Sequence, residues 1–264
     1  MSSDSILMPN EIFKDLQKEL PVSTQVALAY SYYYYVSYLY RYCLFAITPE
    51  NIMTQDKIIS FLGYSPENSK IKKLFKKNGT LDKMGYTETT TDFPVFPRFD
   101  EDNLIEFTTV SELKDEYIIP VNMRNFKVKR PLRCFHRDNE SRDESILNGT
   151  FYEFENTHAI RFSLFNEMMK DSALGTMGFY LYAYIKHRID IFKDGYQASY
   201  KVLEQETGVG ERTIQKYIAA LEGWRYVDGK RVLSGKSYLR VEHKPYLVDA
   251  PADEREANIY RIAS

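Results

Sequence analysis

The stretch Val26 to Ala46, VALAYSYYYYVSYLYRYCLFA, constrains this chain more than any other segment. It is too aromatic to lie in water, and it does not suit a bilayer either. Tyrosine dominates it, and Ser31, Ser37 and Arg41 interrupt it, so it lacks the unbroken apolar character of a membrane span. A helix with its rings buried, or turned toward a partner, satisfies both constraints. The chain has 264 residues, 44% of them hydrophobic and 27% charged, enough to cover such a helix within one large domain or two small ones.

The formal net charge is only −2. Binding to a polyanion therefore requires positive charge concentrated locally, which directs attention to single segments. Cys43 and Cys134 lie far apart with no CxxC partner, which fits reduced thiols better than a disulfide framework. The opening residues carry Asp4 and Glu11 and lack the basic start and apolar run of a secretion signal. A cytoplasmic protein with no membrane association is expected. In that setting the Asn-Gly-Thr triplets at Asn78 and Asn148 read as turns.

The last third is the most structured in pattern. Met177, Leu181, Tyr184 and Ile185 recur on one helical face, in a pattern running to about Arg188. Asp194-Gly195 marks a turn. Ser199 is a good N-cap for a short helix, Tyr200 to Thr207, and Gly208 suits its C-terminus. After Val209-Gly210 a further helix begins, centred on Glu211 to Leu221. Its apolar stripe is Ile214, Ile218 and Leu221, with Glu211, Arg212, Gln215 and Lys216 pointing away from it. Trp224 to Val227 then reads as a strand, and Asp228-Gly229 as a hairpin signal. Arg231-Val232-Leu233 and Tyr238 to Val241 flank Ser234-Gly235-Lys236-Ser237, which predicts a hairpin with a basic tip.

Ser199, Leu203, Thr207-Gly208-Val209, Arg212-Thr213-Ile214, Tyr217-Ile218, Leu221 and Trp224 to Val227 resemble the winged helix-turn-helix family of bacterial, phage and plasmid DNA-binding proteins. The resemblance spans roughly residues 175 to 245. Two residues depart from the pattern: Glu204 replaces a small alanine, and Gly210 replaces a capping serine. The resemblance implies binding to double-stranded DNA. Arg212, Thr213, Gln215 and Lys216, with Glu211 beside them, would face a major groove. Ser199 would start the bracing helix, and Arg231 and Lys236 would follow the backbone from a wing.

A second, looser copy is expected further upstream. Thr54 caps a pattern from Gln55 to Leu62, and Gly63-Tyr64 makes a turn. Ser65-Pro66 predicts the start of a helix carrying Ile71, Leu74 and Phe75 on one side and Lys70, Lys72, Lys73, Lys76 and Lys77 around the rest. Asn78-Gly79 closes that helix, and Leu81 to Thr87 would begin a wing. The basic stretch Arg124 to Arg137 reads equally well as a phosphate contact or as a charged strand.

No P-loop, GxGxxG or GxSxG is present. His136, His158, His187 and His243 are scattered, and Asp138, Glu140, Asp143 and Glu144 read as a solvated run. No catalytic residue, metal or cofactor is expected, and the chain is not read as an enzyme. The expected fold class is α+β, mainly α, with two winged helix-turn-helix domains joined by a partly β central segment. The predicted boundaries are 1–22 for an N-terminal segment, 23–100 and 166–248 for the two domains, 101–165 for the connection and 249–264 for a tail. The function expected from the resemblance is sequence-specific DNA binding by a transcriptional regulator. A replication initiator of a plasmid or phage fits the same pattern. A protein-docking module, or homodimer, using the Tyr-rich helix is the alternative of a different class.

Overall fold

Helices and small antiparallel sheets alternate along the chain, an α+β architecture. The computed structural model describes residues 4–46, 51–99, 105–113, 126–134, 156–243 and 257–263. Arg124, the run from residue 135 through the carboxylates at 138–144, and Asn148 lie outside the described residues.

The first elements are β1 (Ser5–Pro9), α1 (Ile12–Glu19), α2 (Ser23–Arg41), α3 (Gln55–Phe61), α4 (Ser69–Phe75) and α5 (Thr80–Lys83). Strands β2 (Thr87–Thr90), β3 (Pro94–Phe99), β4 (Ile105–Thr109), β5 (Val128–Pro131) and β6 (Thr157–Arg161) follow. Then come α6 (Phe162–Lys170), α7 (Gly175–Ile191), β7 (Tyr196–Ala198), α8 (Tyr200–Thr207) and α9 (Glu211–Leu221). The described chain closes with β8 (Trp224–Val227), β9 (Lys230–Leu233), β10 (Leu239–Glu242) and β11 (Asn258–Ile262).

The chain divides into two compact units, one of Met1–Pro9 with Ser31–Phe162, the other of Asn10–Tyr30 with Ser163–Ser264. In the first unit the tyrosines of α2 form the interior. Tyr32 stacks on Phe75 with ring centroids 3.8 Å apart, and Tyr33 meets Tyr86 edge-on at 5.3 Å. A buried phenol must keep a hydrogen-bond partner or lose the solvation of its hydroxyl. Tyr34 Oη donates to the Ile160 carbonyl at 3.0 Å, and Tyr33 Oη lies 3.1 Å from Cys134 Sγ. Strand β1 pairs with β6, β2 with β5 and β3 with β4, all antiparallel.

Asp82 is the polar centre of this unit. It accepts from Asn78 N at 2.9 Å, from Thr87 Oγ1 at 2.6 Å and from Thr89 Oγ1 at 3.0 Å. Lys129 Nζ donates to it at 2.5 Å, and also to Thr89 Oγ1 at 2.8 Å and the Lys76 carbonyl at 3.1 Å. Both side chains of the ion pair are less than a tenth exposed. Burial lowers the pKa of the ammonium, and the bond to Asp82 opposes that shift. Within the basic stretch, Val128–Pro131 is a strand, with Lys129 turned inward.

In the second unit α7 is buried on every side from Thr176 to Ile185, a wider face than its periodicity predicts. Phe13 of α1 lies among Tyr30, Tyr180 and Tyr184, with centroids 5.1 to 5.8 Å away. Strand β11 lies between β10 and β7 in a three-stranded sheet, while β8 and β9 form a separate hairpin.

Several sequence expectations are corrected here. Residues 1–22 are no separate segment, because β1 belongs to one unit and α1 to the other. Residues 258–262 of the expected tail form the central strand of a sheet. Tyr30, Tyr32, Tyr33 and Tyr34 of the Tyr-rich helix are at most 1% exposed, so these four rings are covered within the chain. Helix α4 starts at Asn68, whose side chain accepts from Lys70 N at 3.0 Å, and not at Ser65-Pro66. It ends at Phe75, leaving Lys76 and Lys77 beyond it. Residues Leu81 to Lys83 are helical, and the strand that follows pairs with β5, far along the chain, instead of a hairpin neighbour.

Two predictions follow from these interiors. Asp82→Asn leaves the Lys129 ammonium buried without its counter-charge and should cost about 3–5 kcal/mol in urea unfolding; a loss under about 1 kcal/mol contradicts a buried pair. Burial pushes Tyr33, Tyr180, Tyr196 and Tyr260 well above their ordinary value, and Tyr40 up to about 12. A folded-state pKa above the unfolded one means that this stabilisation is complete below about pH 10 and is lost as pH rises past it. Loss of helical circular dichroism should therefore coincide with the rise of tyrosinate absorbance above about pH 10. Gradual tyrosine ionisation in an intact fold is the contrary outcome.

Candidate nucleic-acid interface

Helix α8 has the expected bounds. Ser199 Oγ accepts from Val202 N at 3.2 Å, so this hydroxyl serves as the N-cap. Thr207 Oγ1 donates to the Leu203 carbonyl at 2.6 Å, and Tyr180 Oη donates to the Thr207 carbonyl at 3.2 Å. Gly208 follows with φ +69°, the left-handed conformation that reverses the chain. An added Cβ there would also lie 3.1 Å from Gln17 Cγ. Val209 fills the turn, fully buried.

Helix α9 then begins at Gly210 and runs Glu211–Leu221. Ile214, Ile218 and Leu221 are completely buried against the rest of the unit. Arg212, Gln215 and Lys216 are exposed, and Glu211 and Thr213 are half-buried. Positions 212, 215, 216 and 219 share one face at helical spacing. No side chain caps this helix, and Glu204 Oε1 stands 3.7 Å from where a Cβ on residue 210 would lie. Glu204 and Glu211 thus place negative charge at the helix N-terminus, which favours the dipole but weakens its attraction for phosphate.

Strands β8 and β9 form the hairpin after α9. Its tip is Asp228-Gly229, with φ of 50° and 75°, the pair of positive angles a two-residue turn of this hand requires. The expected tip at Ser234 to Ser237 is corrected. Gly235 N donates to the Gly223 carbonyl at 2.8 Å, and this segment leads to β10, which pairs with β11 and not with β9. Lys236 Nζ is 2.6 Å from Glu167 Oε2, so its charge is already matched. Arg231 stays exposed on β9, its guanidinium 4.6 Å above the Trp224 ring.

A groove of about 530 Å³ lies between α9 and this hairpin. Gln215 and Arg231, nominated separately from the sequence, line it together, with Tyr200, Glu222, Trp224 and His243. Sequence reasoning missed those four as site residues. Trp224, the chain's single tryptophan at the end of the helix, was the one available signal. His243 Nε2 lies 3.0 Å from Glu222 Oε2. Burial, with the Glu222 carboxylate adding to it, raises the Tyr200 hydroxyl and keeps it a donor.

The lysines of the first unit are divided. Lys70, Lys72 and Lys73 lie on α4, and Lys72 pairs with Glu67 at 2.9 Å. Lys73, Lys76 and Lys77 are exposed and make no ion pair among the described residues. Among the described residues no group of three or more His, Cys, Asp or Glu could hold a metal ion. No described helix is long and apolar enough to cross a membrane. Comparison of the chain with protein-family models, curated proteins and solved structures finds no match.

The turn can be tested directly. Gly210 has φ −61° and ψ 144°, accessible to any residue, and a Cβ there meets nothing closer than 3.7 Å. Gly210→Ser should raise stability by a few tenths of a kcal/mol, seen as a higher urea midpoint at unchanged slope. Gly208→Ala should lower it by about 1–2 kcal/mol. Equal effects at the two positions would contradict this turn geometry.

Proposed function

We propose that the chain binds double-stranded DNA in a sequence-specific manner through a winged helix-turn-helix built from α7, α8, α9 and the β8–β9 hairpin. One observation carries the reading. A helix with one face fully buried presents Arg212, Gln215 and Lys216 on the other, across a groove from the exposed Arg231. Arginine and glutamine supply the paired donors and acceptors that major-groove base edges require. Arg231, held over Trp224, suits a phosphate contact beside that helix. Such binding serves a transcriptional regulator, and equally the origin recognition of a replication initiator. The first unit, with Thr54-capped α3, α4 and the strand pair β2 and β5, is proposed as a second, more divergent winged helix.

Selection of bound duplexes from a random pool at physiological salt tests the reading and yields the preferred site. Arg212→Ala or Gln215→Ala should relax preference at particular base positions by about 1–3 kcal/mol. Arg231→Ala should weaken all sequences alike and make the salt dependence shallower by roughly one unit of slope. Lys236→Ala should leave affinity unchanged, since Glu167 already matches its charge. Recovery of no preferred sequence, or variants at 212 and 215 indistinguishable from the parent, would overturn the assignment.

A further inference from the structure

The β8–β9 hairpin exposes apolar surface that duplex reading by α9 does not use. Tyr226 is 80% exposed and Leu233 65%, the two highest values for a large apolar side chain among the described residues. Exposed apolar residues scattered singly need no explanation, but these two share a face. Trp224 pairs with Leu233 across the hairpin, and Tyr226 with Arg231. Directly paired residues of an antiparallel ribbon point to the same side, as do residues two apart on one strand. Trp224, Tyr226, Arg231 and Leu233 therefore make one continuous face. Trp224 and Arg231 line the groove beside α9, so this face continues the surface that carries Gln215. The opposite face is held within the unit, where Arg225 pairs with Asp171 and donates to the Ala220 carbonyl.

The composition of the face selects its occupant. A ring open to solvent, a leucine and a guanidinium 4.6 Å above an indole suit a partner with flat apolar surfaces joined by negative charge. A second copy of the chain fits poorly. A two-fold contact through so small a face sets Arg231 close to its own copy, with exposed Lys230 beside it, and like charges repel where water is excluded. A paired duplex matches poorly as well, since stacking closes its base faces and leaves only edges, sugars and phosphates. An unpaired base offers its open π face to Tyr226 and its phosphate to Arg231.

Resting on the reading of α9 and this hairpin as a nucleic-acid interface, we propose that the hairpin face binds single-stranded DNA. Unpaired bases stack on Tyr226 and pack against Leu233, and the backbone lies along Arg231. The two-residue turn at Asp228-Gly229 closes the ribbon tightly, so the ring is presented without a loop having to be ordered. The chain thereby holds an unpaired strand next to the duplex that α9 reads.

Titration of a fluorescein-labelled oligo-dT, about ten nucleotides long, with the full chain at physiological salt tests this by anisotropy. Saturable binding is expected, with quenching of Trp224, the chain's single tryptophan and a member of the same face. Tyr226→Ala should weaken binding by roughly fivefold or more, and Tyr226→Phe, which keeps the ring, should bind as the parent does. Leu233→Ser should weaken binding too. Both positions are exposed, so an unchanged urea midpoint should accompany these losses. The duplex sequence selected by Tyr226→Ala should be that of the parent. Absence of saturable binding at micromolar chain, an alanine variant that binds like the parent, or a phenylalanine variant as weak as alanine would overturn the proposal. An equal loss for a fully paired duplex on Tyr226→Ala would overturn it too, as would self-association of the chain that Tyr226→Ala abolishes. Failure with oligo-dT while duplex selection still responds to Arg212→Ala is a failure of this face alone. Failure of both removes the nucleic-acid interface altogether.

Discussion

A tyrosine can be buried only where its hydroxyl finds a partner, and this chain buries many of them. The requirement turns an otherwise non-directional aromatic interior into a set of fixed positions. Tyr34 reaches the backbone of β6, and Tyr33 lies against the Cys134 thiol. Tyr180 donates to the carbonyl of Thr207, the last residue of α8. In the second unit that bond holds the end of α8 to α7 where the chain turns toward α9. The exposed face of α9 is aimed by what is buried behind it.

The charged groups divide along the same line. Buried Lys129 is matched by Asp82 and half-buried Arg225 by Asp171, with Arg225 also donating to the Ala220 carbonyl at 2.7 Å. Such pairs fix geometry more than they add stability, because desolvation offsets most of their attraction. Exposed cations with no ion pair among the described residues include Arg212, Lys216 and Arg231 in one unit and Lys73, Lys76, Lys77 and Lys127 in the other. A chain of net charge −2 thereby carries two local positive fields.

Helices α8 and α9 and the turn between them were legible because their signals are local. Ser199, Gly208 and the spacing of Ile214, Ile218 and Leu221 each act within a few residues of themselves, and α8 and α9 have the predicted bounds. The upstream helices were read less well. Helix α4 is capped by Asn68, three residues after the Ser65-Pro66 signal, and buries Ile71, Leu74 and Phe75. The hairpin tip was misread because Ser234-Gly235-Lys236-Ser237 has hairpin composition. Its neighbours instead find the distant β11, a pairing no local pattern announces.

By itself, then, the sequence determined the bounds of α8 and α9, the glycine turn between them, and which residues of α9 face away from the core, since capping and periodicity are short-range effects. It also required that the Tyr-rich run be covered. Only the tertiary structure decided what covers it, that Lys129 faces inward, that Lys236 is matched by Glu167, and that Gln215 and Arg231 share one groove. Those outcomes depend on strand pairings and ion pairs between residues distant in the chain, whose energies exist only once the fold has brought the partners together.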